Sequence, residues 1–75
     1  MKPRPSKPKD VERLLLHLGF VHVRAGSGSH RFYRHPDGRT VVVAFHGGGK
    51  AIPIGTLRKI VGDIGLSVEE FNKRV

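Results

Sequence analysis

Apolar residues recur along this chain at two different periods, and the switches between the periods outline its elements. Val11, Leu14, Leu15 and Leu18 follow i, i+3, i+4, i+7, which gathers them into one stripe along a helix. Ser6, with Pro8 just inside, marks the expected helix start. Gly19 followed by Phe20 marks a left-handed stop with an apolar residue beyond it. The same spacing returns at Leu57, Ile60, Val61 and Ile64, and Gly65-Leu66 repeats the stop. Between the two stripes the period drops to two. Phe20 to Arg24, His30 to His35 and Arg39 to Phe45 read as three strands. The glycine- and serine-rich loop Ala25 to Ser29 separates the first two, and a second glycine loop, Gly47 to Gly49, ends the third. Ser67-Val68-Glu69-Glu70 has capping-box spacing, so a last short helix is expected, anchored by Val68 and Phe71.

The predicted fold class is α+β in the order α-β-β-β-α, a three-stranded antiparallel sheet with helices on one face, plus a short C-terminal helix. Double-stranded-RNA-binding domains have this architecture, which by itself assigns no function. The second and third strands flank Pro36-Asp37-Gly38, a sequence suited to a type I turn closing a hairpin with a bulge. In that register His35 pairs with Arg39 and His30 pairs with Ala44. His46 then falls diagonal to His30 on the same face, about 7–8 Å away. Tyr33, Val41, Val43 and Phe45 make the more apolar face and are assigned to the helices. His30, Phe32, Arg34, Thr40 and Val42 are left on the open face, and a slip of one residue would exchange the two.

With 75 residues the chain fits one small domain, expected over Ser6 to Val75. Met1 to Pro5 reads as a flexible basic arm, since its prolines block early helix and strand pairing. Charge changes the picture more than size does. Fourteen Lys and Arg against six Asp and Glu give +8, which argues for a polyanionic partner. From His22 to Lys59 the chain carries seven Lys/Arg and four His but a single acid, Asp37. There is no cysteine, which excludes a disulfide framework, a cysteine nucleophile and cysteine metal sites. The longest fully apolar run, Val41 to Phe45, is far too short for a membrane span, and a soluble intracellular protein is expected.

No serine triad or carboxylate pair is evident, so the candidate chemistry comes down to five histidines. Histidine titrates near neutrality as a residue type and can both give and take a proton. His17, His22 and His35 sit where a structural or solvated role suffices. His30 and His46 each adjoin a glycine-rich loop, where backbone can approach a ligand closely. Gly47-Gly48-Gly49-Lys50 resembles the end of a nucleotide phosphate loop, but Ala44 stands where the leading glycine belongs and Ala51 where magnesium needs a hydroxyl. Histidine-only metal binding has no supporting spacing or carboxylate partner.

Taken in order, Leu18-Gly19-Phe20, Gly28-Ser29-His30, His35-Pro36-Asp37-Gly38-Arg39, His46, Gly55-Thr56-Leu57-Arg58-Lys59-Ile60 and Gly65-Leu66-Ser67-Val68-Glu69-Glu70-Phe71 resemble the HicA family of bacterial toxin–antitoxin systems. The chain departs from the family at Lys50-Ala51-Ile52, where a Lys-Glu-Leu type stretch is common. The resemblance implies a cytoplasmic ribonuclease that cleaves mRNA, is silenced by a HicB-type antitoxin, and uses His30 in its active site. RNA brings its own nucleophile, the 2′-hydroxyl, so proton transfer and charge stabilisation suffice without cofactor or metal. On that reading His30 and His46 are the proton-transfer candidates. Lys50, Arg31 and Arg58 are candidates to hold the phosphate, with backbone N–H groups of Gly28 and Ser29 nearby and Phe32 offered to a base. Two other classes remain open: a non-catalytic RNA-binding module of the same fold, and a basic face that meets only an acidic protein partner.

Overall fold

The computed structural model describes residues 1–23, 29–45 and 49–75. In chain order the elements are α1 (Pro8–His17), β1 (Val21–Val23), β2 (His30–Arg34), β3 (Thr40–Ala44), α2 (Ile54–Ile64) and α3 (Val68–Arg74). The fold is therefore α+β, an open antiparallel sheet in the order β1-β2-β3 with helices packed on it. No described helix is long and apolar enough to cross a membrane.

Both main helices end as their sequences require. Gly19 at φ +99° and Gly65 at φ +89° take the left-handed conformation that a side chain resists. Each lets the next residue turn back. The Phe20 N–H donates to the Leu15 carbonyl at 3.0 Å, and the Leu66 N–H to the Val61 carbonyl at 3.3 Å. These are Schellman closures that satisfy otherwise orphaned carbonyls.

The start of α1 differs from expectation. Lys7, not Ser6, is the N-cap, and the Asp10 carboxylate accepts the Lys7 N–H at 3.0 Å. An acid in the first turn also suits the positive end of the helix. Ser6 is buried instead, its hydroxyl donating to the Arg4 carbonyl at 2.8 Å and its own carbonyl accepting from the Ile52 N–H at 2.8 Å.

The hairpin register is the expected one. The Gly38 N–H donates to the His35 carbonyl at 2.8 Å and the His35 N–H to the Arg39 carbonyl at 2.9 Å. His30 consequently stands opposite Ala44, Phe32 opposite Val42 and Tyr33 opposite Val41. Tyr33, Val41 and Val43 are buried against Val11, Leu15, Leu57, Ile60 and Ile64. The opposite face, with His30, Phe32, Arg34, Thr40 and Val42, is exposed. Arg39 ties the turn to the helical layer. Its guanidinium binds Asp37 at 2.9 Å, lies 5.1 Å above the Phe20 ring and donates to the Ile64 carbonyl at the end of α2. The Arg39 side chain, followed by its backbone N–H, holds the Asp37 carboxyl down at about 2.

The Ser67 hydroxyl caps α3 by accepting from the Glu70 N–H at 3.0 Å, and Phe71 is fully buried, so α3 packs on the domain. Met1 to Pro5, expected as a flexible arm, lies along α3. Asn72 accepts the Arg4 N–H at 2.7 Å and donates to the Lys2 carbonyl at 3.1 Å, while Pro3 is buried. An extended proline-rich segment keeps its backbone groups unpaired, and the Asn72 side-chain amide supplies the matching donor and acceptor.

The two helix-ending glycines differ in their surroundings. A Cβ on Gly19 would stand 3.2 Å from the His35 imidazole, whereas one on Gly65 meets only the Arg39 side chain at 3.5 Å. Gly65→Ala should therefore carry the left-handed strain alone, about 1–2 kcal/mol. Gly19→Ala should cost more, because His35 is held in place by the Leu18 carbonyl. Thermal melts read the difference at about 4–8 °C per kcal/mol in a domain of this size. Equal melting points would contradict this account.

Candidate functional site

Where the open end of the hairpin meets the approach to α2, the protein forms a groove of about 490 Å³. His30 and Ala44 contribute from the sheet, Lys50, Ala51, Ile52 and Pro53 form one wall, and Thr56 and Ile60 contribute from α2. Each is placed by a local cause. His30 is the first residue of β2, and strand alternation turns it to the open face with Phe32. Lys50 leads a segment fixed by the Ile52-to-Ser6 hydrogen bond. Thr56 and Ile60 are four apart, one above the other on the same helical edge.

The electrostatics favour an anion. None of the lining residues is acidic, and Lys50 is an exposed cation. The N-cap of α2 is Pro53, which offers no side-chain acceptor, and the first turn carries no acid. The partial positive charge of the helix start is therefore not offset locally.

Of the residues expected at a site, the structure brings His30 and Lys50 together in this groove. Phe32 lies on the same open face as His30, 38% exposed, in a row with Val23 and Val42 across the three strands. Ser29 is half-buried and extends the hairpin ladder, its carbonyl accepting the Phe45 N–H at 2.8 Å. Arg31 faces the helical side, as its place in the register dictates. Its guanidinium pairs with Glu12 at 3.1 Å and lies 4.0 Å over the Phe45 ring. Arg58 is not among the groove residues, and its guanidinium instead reaches the Met1 carbonyl at 3.4 Å. Two positions apart on a helix are about 200° apart, so Arg58 and Thr56 point to opposite sides of α2. Gly28 and His46 lie outside the described residues.

The other histidines have structural surroundings. His35 donates from Nε2 to the Leu18 carbonyl at 3.2 Å, accepts the Asp37 N–H on Nδ1 at 3.2 Å, and packs edge-on to Phe20. His22 tilts against the Tyr33 ring, and His17 lies beside Asp10, Arg13 and Arg74 at a shallow hollow. Among the described residues no cluster of three His, Asp or Glu could hold a metal ion. Thr56 is the groove residue that sequence reasoning passed over. Its signal was present, since it precedes Ile60 by four and so borders the buried stripe.

A family model described as HicA toxin of bacterial toxin-antitoxin matches residues 8–66. The chain belongs to the HicA toxin family. No curated protein matches the chain. Membership gives the chain a toxin's part in a toxin–antitoxin pairing. The HicA match runs from the start of α1 to the residue that closes α2 and contains every described residue of the groove. It leaves outside both the segment 1–7 and α3.

Below the sheet, Tyr33 donates its hydroxyl to Glu12, which also holds Arg31. Burial first, and then the hydrogen bond and charge of Glu12, push the Tyr33 hydroxyl well above its ordinary value of 10. A raised folded-state value means that this stabilisation is complete below pH 10 and is lost as pH climbs above it. Tyr33 is the only tyrosine and there is no tryptophan, so phenolate absorbance reports on it alone. That signal should appear only above the ordinary tyrosine range and together with loss of helical circular dichroism. Normal titration near pH 10 in a folded chain would contradict the buried Tyr33–Glu12 pair.

Proposed function

We propose that this HicA-family toxin is an endoribonuclease that cleaves mRNA in the cytoplasm without a metal, and that a HicB-type antitoxin neutralises it. The observation that carries this reading is the single groove shared by His30 and Lys50, a proton-transfer group and a cation beside an unblocked helix start. In this chemistry a base removes the proton of the 2′-hydroxyl, whose oxygen attacks the adjacent phosphorus. The bond to the 5′-oxygen breaks, a 2′,3′-cyclic phosphate remains, and the leaving oxygen takes up a proton. His30 serves as the base or the acid of that exchange, and Lys50 offsets the charge that builds on the phosphorane oxygens.

His46 is proposed as the second proton-transfer group, and backbone N–H groups of Gly28 and Ser29 as further phosphate contacts. Phe32 on the open face offers a stacking surface to a base next along the strand. Arg31 is engaged by Glu12 and Phe45, so its part is to hold the sheet against α1 rather than to bind phosphate. Arg58 contributes through the net positive field around the RNA.

Cleavage of a single-stranded RNA by the purified chain and by His30→Ala tests this reading. The variant should lose about 10²–10⁴ in rate while keeping its salt-sensitive RNA affinity, and EDTA should leave the unmodified chain fully active. An unmodified chain that binds RNA but never cuts it would favour the non-catalytic binding module. Cleavage abolished by EDTA would overturn the metal-free mechanism.

A further inference from the structure

Phosphate chemistry accounts for His30 and Lys50, but it does not account for the rest of the groove. A phosphodiester is polar throughout, whereas most of the lining is apolar: Ala44, Ala51, Ile52, Pro53 and Ile60. At about 490 Å³ the space lies within the range of small-molecule sites, which are apolar clefts with a few placed polar groups. A flat nucleobase matches that description, with π-faces for the aliphatic walls and an edge that needs a hydrogen-bonding partner.

We propose that the groove receives one unstacked nucleobase flanking the scissile phosphate and that the Thr56 hydroxyl reads its edge. The proposal rests on the ribonuclease reading above and adds a specificity-determining residue to it. Apart from His30 and Lys50, which the proposed chemistry uses, Thr56 is the only hydrogen-bonding side chain among the described lining residues, and no hydrogen bond joins its hydroxyl to a described residue. The backbone N–H of Ile52 on the same wall is committed to Ser6. A hydroxyl both donates and accepts, so it tolerates every base and favours those with a partner at the right height. One such bond is worth a preference of roughly two- to tenfold. The groove also demands that the base leave its stack, so a paired strand is excluded unless the duplex opens.

The test compares the unmodified chain, Thr56→Val and His30→Ala on a pool of single-stranded RNAs with random bases around one fixed centre, and on the same centre in duplex form. Cut ends are mapped by sequencing. Valine keeps the shape and β-branching of threonine, and circular dichroism verifies the fold of each variant. The unmodified chain should show a roughly two- to tenfold preference at one nucleotide beside the cut. Thr56→Val should level that preference while still cutting, and the duplex should resist both. A Thr56→Val profile identical to the unmodified one, or equal cutting of duplex and single strand, overturns the base pocket. If those cuts still vanish in His30→Ala, the ribonuclease reading stands without it. Absence of cleavage by the unmodified chain overturns both, and leaves the apolar lining to a side chain of a protein partner.

Discussion

Everything that can happen at the groove depends on the register of one hairpin. The turn at Pro36-Asp37-Gly38 closes with a 2.8 Å hydrogen bond and sets Tyr33 opposite Val41. From there the two-residue period of the strands decides each position in turn. Tyr33, Val41 and Val43 go down to the helices while His30 and Phe32 go up. Shifting either strand by one place would bury an imidazole among leucines and isoleucines and expose the phenol. The Arg39 guanidinium guards against such a slip, since it joins the turn, the Phe20 ring and the end of α2 at once. The site is thus a consequence of the core, with specificity for one face enforced at the far end of the hairpin.

Much of this was legible in the sequence because it rests on short-range rules. The two helical stripes, the glycine stops, the turn and the cross-strand partner of His30 all follow from residues within a few positions of one another. Even the orientation of Arg31 toward the helices follows from counting along the strand. What escaped reading depends on contacts between distant residues. Ser6 looked like a helix cap because nothing nearby announces that Ile52 will claim its carbonyl. Met1 to Pro5 looked free because its partner, Asn72, stands at the other end of the chain. Arg58 counted as a phosphate ligand on charge, but the angular step along α2 carries it away from Thr56. On α2 the groove is lined by the uncharged Thr56 and Ile60.

The apolar character of the groove also bears on how a cationic surface becomes selective. A charge of +8 attracts any polyanion, and attraction of that kind does not distinguish RNA from DNA or one stretch from another. Discrimination needs a shape that only part of the ligand can enter. Here Lys50 stands beside a hollow whose walls are aliphatic, and under the proposed ribonuclease activity the net field would gather the strand while the hollow selected what lies down in it. Phe32 with Val23 and Val42 forms a separate apolar row across the open face of the sheet.

The docked segment 1–7 has a consequence for the order in which the protein is completed. Its bonds to Asn72 span 68 and 70 positions, the longest separations in the hydrogen-bond network of the described residues. Contacts of such separation form late, after local helices and the hairpin. Independently of Asn72, the Ser6 carbonyl ties this segment to Ile52 on the groove wall, and the Arg58 guanidinium reaches the Met1 carbonyl. The helices and the hairpin can therefore form before the proline-rich segment is seated along α3.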